Sequence, residues 1–430
     1  MQTIYFDVTS TLRLHFTSGV QRVTRELARR LCNSQPRELQ FVPIVFCPGC
    51  DGWRQLSKNE HQRLTTSFPL PDNPGKTRSR WLPILRTAAS MVLGKTVIRR
   101  LSAWNHPAGH DSLALNSLQP GSLFLDLDSA WHSPVDRSSL LPVLNAQGVS
   151  ILTLHYDIIP LILPELVHTR TTQLFIRYFQ AHVKHSDLFI CISDHSRIEL
   201  MNYCERNYPE LKINSTRIDL GSDFIARDTG QGNWPLPPDI KRYILAVGTI
   251  EPRKNYDRLL DVFDAIGQDT ENLSLVIVGR RGWKSRELIQ RIHTHPWRGT
   301  RLFWLEGIDD QVLARLYRGA TLCVIPSLYE GYGLPVSESL AYGCITLSSK
   351  EGALIEAGRG FAEYFDAQDT DGMITLIENY IKDPLKYANK RSELRNYQPI
   401  SWDETAKQLV EIIKNQLRRS AKQATAGKIE

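Results

Sequence analysis

The chain has 430 residues, a net charge of +6, and hydrophobic and charged shares of 42% and 23%, which predict two or three globular domains with full cores. No apolar run reaches the length of about eighteen residues that a membrane-spanning helix needs, and Met1 to Val8 has a strand pattern rather than that of a signal peptide. We therefore expect a cytoplasmic protein, whose mild positive charge fits an anionic substrate, an anionic membrane surface or nucleic acid.

The cysteines favour neither a disulfide framework nor a metal site. There are seven of them, an odd number, and they are scattered along the chain. Cys47 and Cys50 form a single C-x-x-C pair with no second pair or nearby histidines, so a loop is expected there rather than zinc or redox chemistry.

Strands and helices alternate through the first half of the chain, which predicts a parallel sheet. The predicted strands are Thr3–Val8, Gln40–Phe46, Ser122–Leu125, Ser150–Leu154, Leu188–Ile192 and Arg217–Gly221. Predicted helices cover Val20–Leu31 and His168–His185, and Ser193 is expected to cap a third one that runs to about Tyr203. Gly19 lies just before the first helix, where free N–H groups can bind an anion, although a plain connection has the same pattern.

Residues 47–119 are predicted to be a long, irregular insertion. Within it, residues 73–110 contain no Asp or Glu, yet carry seven Lys and Arg residues. Apolar residues in this segment can share one helical face, which is typical of a helix lying on a membrane surface. Helices packed on the domain with solvated arginines would have the same composition, and both interpretations stay open.

Polar residues follow two of the predicted strands. Asp126 and Asp128 form an Asp-x-Asp element that could hold a metal on a diphosphate. His155 and Asp157 follow the strand Ser150–Leu154, and the carboxyl ends of parallel strands are where such sheets bind ligands. A lone histidine after a buried strand is, however, more often a structural group.

A Gly- and Pro-rich linker, residues 230–238, separates the first half from a second series of strands and helices. The predicted domains are residues 1–230, including the insertion, and residues 239–398. A helix over 399–418, opened by a capping box at Ser401 and Glu404, is followed by a disordered tail over 419–430. The second series of predicted strands is Tyr243–Gly248, Leu273–Val278, Arg301–Leu305, Leu322–Pro326 and Ile345–Ser348.

Arg253 and Lys254 follow the strand that ends at Gly248. Asn255 is expected to cap the next helix, so the two cations would lie at its amino end. A basic pair is unfavourable there unless an anion is bound, and this conflict predicts a phosphate site.

Glu330 and Glu338 lie on either side of a glycine-rich turn. Gly331 and Gly333 allow close backbone approach to a ligand, and Pro335 fits the first position of a short helix. We expect Glu330 on the loop and Glu338 in the first helical turn, where an anion is favoured.

The stretch from Glu330 to Glu338, with its glycines and proline, resembles the E-x7-E signature of the retaining glycosyltransferase family 4. In that family the first glutamate faces the transferred sugar and the second holds the nucleotide's ribose. The Arg-Lys-Asn stretch that starts at Arg253 matches the diphosphate-binding element, and His155 matches a histidine that contacts the sugar. The resemblance implies catalytic roles for Glu330, His155, Arg253 and Lys254, and donor binding at Gly19, Asp157, Gly248, Arg253, Lys254, Gly331, Gly333, Leu334 and Glu338.

The resemblance is weak in residues 47–119 and departs from the family at residues 355–360. There, of the usual Pro-Glu-Val-x-Gly-Asp element, only Glu356 carries over, so the role of that loop stays open. The last helix crosses back to the first domain in this family.

What the resemblance implies is an α/β protein of the GT-B class, with two Rossmann-like, doubly wound domains facing a central cleft. The reaction would be transfer of a hexose from a nucleotide-sugar with retained configuration. Residues 7–23 and 278–283 resemble a bacterial polysaccharide subgroup, which favours mannose from GDP-mannose; rhamnose or another hexose is the alternative. A nucleotide-sugar epimerase shares this fold, whereas a dinucleotide oxidoreductase would need a Gly-x-Gly-x-x-Gly that neither half has.

We expect a nucleotide-sugar donor, a glycan or lipid-linked glycan acceptor, and no nucleic acid as partners. The membrane interpretation of residues 73–110 would place the protein at the inner face of the plasma membrane. Neither a metal nor another cofactor is expected, because Asp126 is predicted in the first domain and the cationic phosphate site in the second.

Overall fold

Two β-sheets with helices between their strands make up the fold. The computed structural model describes residues 1–14, 18–33, 36, 38–47, 52–65, 112–114, 118–223, 234–268, 270 and 272–426. It divides into two compact units, residues 1–154 with 174–189, and residues 155–173 with 190–430. The domain limits expected at residues 230 and 239 fall inside the second unit of this division and stay predictions.

The first sheet has eight strands in the order β4-β3-β2-β1-β5-β6-β7-β8. β1 pairs in parallel with β2 and β5, and β5 pairs in parallel with β6. β3 and β4 continue the sheet beyond β2 in antiparallel pairing. The strands are β1 Gln2–Asp7, β2 Leu39–Cys47, β3 Gly52–Gln55, β4 Ser112–Ala114, β5 Leu123–Asp126, β6 Ser150–His155, β7 Leu188–Cys191 and β8 Ser215–Arg217.

The prediction that residues 47–119 form an irregular insertion is wrong for its two ends. Both β3 and β4 lie in it, as does the helix Lys58–Thr65. Trp53 of β3 is fully buried against Phe124, with 5.6 Å between the ring centroids, so this part of the insertion belongs to the core. Residues 66–111, including the acid-free segment 73–110, lie outside the described residues, as does Cys50.

The three helices predicted in the first half are present, with small changes at their ends. The helices Thr9–Arg13, Lys58–Thr65, Arg137–Ala146 and Ile159–Ile162 were not predicted. Ser193 accepts a hydrogen bond from the Ser196 N–H and caps its helix, as predicted. The strand predicted over Arg217–Gly221 is wrong beyond Arg217, since only Ser215–Arg217 pairs in the sheet. The helices are α1 Thr9–Arg13, α2 Gly19–Asn33, α3 Lys58–Thr65, α4 Arg137–Ala146, α5 Ile159–Ile162, α6 Thr169–His185 and α7 Asp194–Asn207.

The second sheet has six strands in the order β11-β10-β9-β12-β13-β14, and each neighbouring pair is parallel. This is a doubly wound order that reverses direction between β9 and β12, and such a switch point opens a crevice at the carboxyl ends of the strands. The strands are β9 Tyr243–Val247, β10 Ser274–Val278, β11 Leu302–Leu305, β12 Leu322–Ile325, β13 Thr346–Ser349 and β14 Glu363–Phe365.

Two predicted helix caps of the second half are confirmed. Asp309 accepts from the Val312 N–H, and Ser401 and Glu404 form a reciprocal capping box. The last helix continues to Ala426, past the tail boundary expected at residue 419. The helices are α8 Tyr256–Gly267, α9 Arg286–Thr294, α10 Asp310–Gly319, α11 Leu334–Ala341, α12 Leu354–Gly358, α13 Thr370–Ile381, α14 Pro384–Glu393 and α15 Trp402–Ala426. In the described part of the chain, no helix combines the length and the apolar character needed to cross a membrane.

A buried ion cluster closes the switch point of the first sheet, between β1 and β5. The Arg137 guanidinium donates through Nε to Asp126 Oδ2 at 2.7 Å and through Nη2 to Asp7 Oδ2 at 2.9 Å. His182 Nε2 lies 3.0 Å from Asp126 Oδ2, while Asp128 accepts from the Thr11 N–H at 2.7 Å. The two carboxylates of the predicted Asp-x-Asp element are thus engaged by the protein's own groups.

The pKa of Asp126 in this cluster is lowered, whereas the pKa of Asp128 is raised. Burial raises the pKa of Asp126, but Arg137 and His182 together hold it well below the usual value. Burial, with the charge of Asp7, raises the pKa of Asp128 to about 6 despite the hydrogen bond from Thr11. Arg137 is therefore the cation on which the ionised carboxylates of this crevice depend.

Replacing Arg137 by Met should strongly destabilise the protein, because it leaves Asp7 and Asp126 buried without their cation. The expected loss in the free energy of unfolding is about 3 to 5 kcal/mol, measured by urea denaturation. Lys382→Met is the matched control, since Lys382 pairs with Glu378 at the surface, and it should cost less than about 1 kcal/mol. Equal losses in the two variants would contradict a role of the buried cluster in stability.

Candidate functional site

Two loops meet at the switch point of the second sheet. One follows β9 and carries Arg253 and Lys254; the other follows β12 and carries Glu330. The Leu328 N–H of the second loop donates to the Arg253 carbonyl of the first at 2.8 Å. The topology therefore brings together three of the four predicted catalytic residues, although they are some 75 positions apart in sequence.

Glu330 lies between the two cations. Arg253 Nη1 donates to Glu330 Oε2 at 2.5 Å, and Lys254 Nζ donates to Glu330 Oε1. Ser327 Oγ donates to the same Oε1 at 2.8 Å, and Arg253 Nη2 also pairs with Glu251 at 2.9 Å. Glu330 is 8% exposed, so these contacts form in a nearly dry environment where each charge-assisted hydrogen bond is strong.

The charges of this cluster stabilise one another. Burial raises the pKa of the Glu330 carboxyl, but Arg253 and Lys254 outweigh it and bring the pKa down to about 2. Burial lowers the pKa of Arg253, and the charges of Glu330 and Glu251 raise it well above its usual value. Glu330 is thus a carboxylate, and Arg253 a cation, throughout the physiological pH range.

The electrostatic reasoning that predicted a phosphate site is wrong in its premise. Arg253 and Lys254 lie in a single 3₁₀ turn, Pro252–Lys254, before the helix that begins at Tyr256, and Glu330 and Glu251 neutralise them. Asn255 does not cap that helix. It takes a left-handed conformation with φ of 56°, and its side-chain amide donates to the Ala367 carbonyl.

Gly331 is required by packing within the second unit. A Cβ atom at this position would lie 2.8 Å from both the Tyr156 carbonyl oxygen and the Asp157 Cβ. Gly333 has a positive φ of 106° and is the residue before α11, which begins at Leu334. Gly331 thus lets the loop that carries Glu330 lie directly on the loop that follows β6.

Two further predicted residues lie at the end of β6 and on the loop after it. The strand β6 runs one residue further than predicted and ends at His155, which is 4% exposed. The Asp157 carboxylate accepts from the Ile159 N–H at 3.1 Å and lies close to Gly331. Asp157 is therefore beside the loop that carries Glu330.

Glu338 is buried in the middle of α11, not in its first turn as predicted. The helix begins at Leu334, which makes Glu338 its fifth residue. Its Oε2 accepts from the Tyr317 hydroxyl at 3.1 Å, which orients the carboxylate from α10. Gly248 follows β9 and lies next to Lys254, where a Cβ would lie 3.1 Å from the lysine Cε.

The one remaining predicted site residue, Gly19, lies in the first unit. Gly19 is the first residue of α2, as expected for a glycine that precedes a helix. Among the described residues, no group of His, Cys, Asp and Glu side chains is arranged to hold a metal ion.

Several hydrogen bonds and ion pairs of the site could not be predicted from the sequence. Glu356 accepts from the Asp194 and His195 N–H groups at the start of α7 and pairs with Arg217. Glu199 accepts from the hydroxyl of Tyr329, the residue before Glu330. Of these, only Glu356 had a sequence signal, as the one residue of its loop that carries over from the family pattern.

Asp157 is the group of this site whose charge changes nearest neutral pH. Burial raises its pKa to about 6, and the charges of Glu199 and Glu330 add to this while Arg253 opposes it. Because the pKa in the folded state is above the ordinary 3.8, Asp157 stabilises the fold at low pH and loses that contribution as the pH rises through 6.

Asp157→Asn should therefore become more favourable relative to the wild type as the pH rises. Between about pH 5 and pH 7.5, the difference in unfolding free energy should move by about 1 to 2 kcal/mol in favour of the variant. Urea denaturation at a series of pH values measures this difference. Asp239→Asn, at an exposed position, should show no such trend; the same trend in both variants would contradict the raised pKa.

Comparison with known proteins agrees with this geometry. Residues 234–400 match the family described as glycosyl transferases group 1. The serotype-specific mannosyltransferase WbdA of Escherichia coli is 26% identical over 407 residues, which cover 91% of this chain and 44% of WbdA. The O-antigen chain mannosyltransferase B of Escherichia coli is 30% identical over 223 residues, 48% of this chain and 56% of that protein. The chain thus spans less than half the length of WbdA.

The solved structure of Anabaena HepE in complex with UDP-glucose has the same fold. The two superpose with a TM-score of 0.60 over 96% of this chain and 100% of HepE, at 14% sequence identity. The predicted GT-B class, with two Rossmann-like domains, is confirmed. Residues 234–400 thus match the glycosyl transferases group 1 family, and the chain has the fold of the GT-B glycosyltransferases.

Proposed function

We propose that this chain transfers mannose from GDP-mannose to a glycan acceptor, with retained anomeric configuration, in the assembly of a bacterial surface polysaccharide. The observation that carries the proposal is the Glu330 carboxylate held by Arg253 and Lys254 at the switch point of the group 1 domain. This arrangement offers two cations to a diphosphate and one carboxylate to sugar hydroxyls, side by side.

The two cations serve the leaving group. Negative charge grows on the diphosphate as its bond to the anomeric carbon breaks, and fixed positive charges that are already in place stabilise it. Arg253 and Lys254 would turn toward the phosphates and share their charge between these and Glu330. The acceptor hydroxyl would attack from the face that the diphosphate leaves, and pass its proton to the departing phosphate oxygen.

The carboxylates position the donor. Glu330 would orient the sugar ring by accepting hydrogen bonds from its hydroxyls, and His155 would contact the sugar from the adjoining loop. Glu338, oriented by Tyr317, would accept from the ribose hydroxyls. The backbone N–H groups at the start of α11, from Leu334 onward, would face the phosphates.

The reaction is proposed to need no divalent metal. Two cations at the phosphate position supply the charge that a metal would otherwise bring. The other candidate, the Asp-x-Asp element, has its carboxylates engaged by Arg137, His182 and Thr11.

Mannose is the proposed sugar because two similar proteins are named mannosyltransferases. Anabaena HepE, with the same fold, was solved with UDP-glucose, so the fold by itself does not select the donor. The acceptor is proposed to be a glycan or lipid-linked glycan, since the two relatives are named as a serotype-specific and an O-antigen chain mannosyltransferase. A membrane contact through residues 73–110 remains part of this proposal.

Mannosyl transfer can be tested with a panel of nucleotide-sugars and an α-mannoside acceptor, all with EDTA present. We expect GDP-mannose to stabilise the fold most in thermal shift and to give a mannosylated product by mass spectrometry. Arg253→Ala should slow transfer about a hundredfold or more, the loss of about 3 kcal/mol of transition-state stabilisation. NMR of the product reports the configuration.

Different results would contradict different parts of the proposal. Transfer from another donor in preference to GDP-mannose would exclude mannose as the sugar. Activity that is lost in EDTA and restored by magnesium or manganese would move the charge-neutralising role from Arg253 to a metal.

Glu330→Gln separates the role of the carboxylate from that of the cations. The variant keeps the shape of the side chain but releases Arg253 and Lys254 from their anion. Transfer should fall at least about a hundredfold, while GDP should bind as tightly as to the wild type or about fivefold tighter. Isothermal titration calorimetry and the transfer assay measure the two effects. Wild-type turnover in this variant would exclude a role of Glu330 in catalysis.

A further inference from the structure

The residues on both sides of Glu330 are held by one helix end. Gly331 accepts a hydrogen bond through its carbonyl from Ser193 Oγ at 2.8 Å. The Tyr329 hydroxyl donates to Glu199 Oε1 and lies 2.7 Å from His195 Nε2. All three partners belong to α7 or its cap, within the second unit.

Tyr329 also contacts Arg253, one of the two cations that hold Glu330. Its carbonyl oxygen accepts from Arg253 Nη1 at 2.7 Å, and the same nitrogen donates to Glu330 at 2.5 Å. A shift of the Tyr329 backbone would therefore move the Arg253 guanidinium and the Glu330 carboxylate together. A displacement of about 1 Å between reacting groups is enough to slow an enzyme about a hundredfold.

The geometry shows which group donates in each hydrogen bond of the Tyr329 hydroxyl. The Tyr329 hydroxyl has one hydrogen and gives it to Glu199, so His195 Nε2 is the donor in the other bond. Burial and the neighbouring Glu199 charge raise the pKa of Tyr329 well above its usual value, which keeps the hydroxyl a donor. Burial also lowers the pKa of His195, so that its ring is neutral near pH 7.

We propose that Tyr329 and Glu199 are positioning residues for transfer, which hold Glu330 and Arg253 in the reactive arrangement through the hydroxyl–carboxylate contact. The proposal rests on the function proposed above for this site. It assigns neither residue a contact with the donor. Glu199 acts through Tyr329, and Tyr329 acts through its backbone on the two groups that it adjoins.

Tyr329→Phe tests this contact, because it removes the hydroxyl and keeps the ring. We expect kcat to fall about tenfold or more, with donor KM within about threefold and the melting temperature within about 3 °C. Glu199→Ala should behave in the same way, whereas Glu199→Gln keeps an acceptor oxygen and should retain at least about a third of the activity. The double variant Tyr329→Phe with Glu199→Ala should be no slower than the slower single variant.

A matched control is available in the same unit. Tyr380 of α13 is another buried tyrosine whose pKa is raised by burial and by a neighbouring glutamate, Glu363, and Tyr380→Phe should leave kcat unchanged. Hydrogen exchange of the peptide that covers residues 327–333 gives a readout without substrate. Exchange there should be faster in Tyr329→Phe and Glu199→Ala than in the wild type, and unaltered in Tyr380→Phe.

Wild-type kcat in Tyr329→Phe, or losses in the two single variants that multiply in the double variant, would overturn the proposal. An equal loss in Tyr380→Phe would do the same, since it would show a general effect on folding. The assay uses whichever donor the wild type accepts, so failure with GDP-mannose alone excludes mannose and not the positioning roles. If no donor of the panel is turned over, unaltered exchange in Tyr329→Phe overturns the proposal and faster exchange supports it.

Discussion

The contact between Glu330 and the cations Arg253 and Lys254 is the interaction on which the site depends. It joins the loop after β9 to the loop after β12, together with the backbone hydrogen bond from the Leu328 N–H to the Arg253 carbonyl. The same contact keeps Glu330 ionised in a buried position. The folding of the site and the ionisation of Glu330 are thus properties of one charge arrangement.

The two sheets use their switch points differently. In the first sheet, Arg137 fills the crevice between β1 and β5 and is 2% exposed, so the charges there are sealed among themselves. In the second, the Arg253 side chain stays 17% exposed while it pairs with Glu330. A sealed cluster stabilises the fold, whereas a cluster with an exposed cation can exchange a carboxylate partner for a ligand. The difference explains why the Asp-x-Asp element, although it follows a strand as a ligand site would, is structural.

Local patterns predicted the local features of this chain. The strands and helices, the caps at Ser193 and Asp309, and the glutamate–glycine motif follow from short stretches of sequence and their periodicity. The misplaced features depend on distant partners instead. Asn255 occupies the position of a helix cap in the sequence, but its side chain donates to the Ala367 carbonyl instead. Arg253 was expected to need an anionic ligand, but the fold brings the Glu330 carboxylate to it. Glu199 has no local signal, because its partner Tyr329 lies 130 residues away in sequence. The role of Arg137 also depends on a distant partner, since it joins Asp126 to Asp7, which is 130 residues away.

The Arg137 cluster also constrains the order in which the first unit can form during synthesis. Arg137, the cation that neutralises Asp7, follows it by 130 positions in the chain, and His182 lies later still. Because a chain is synthesised in the amino-to-carboxyl direction, packing β1 into a core before Arg137 has been made would bury the Asp7 carboxylate without its cation. Packing around Asp7 is therefore favoured only once Arg137 is present.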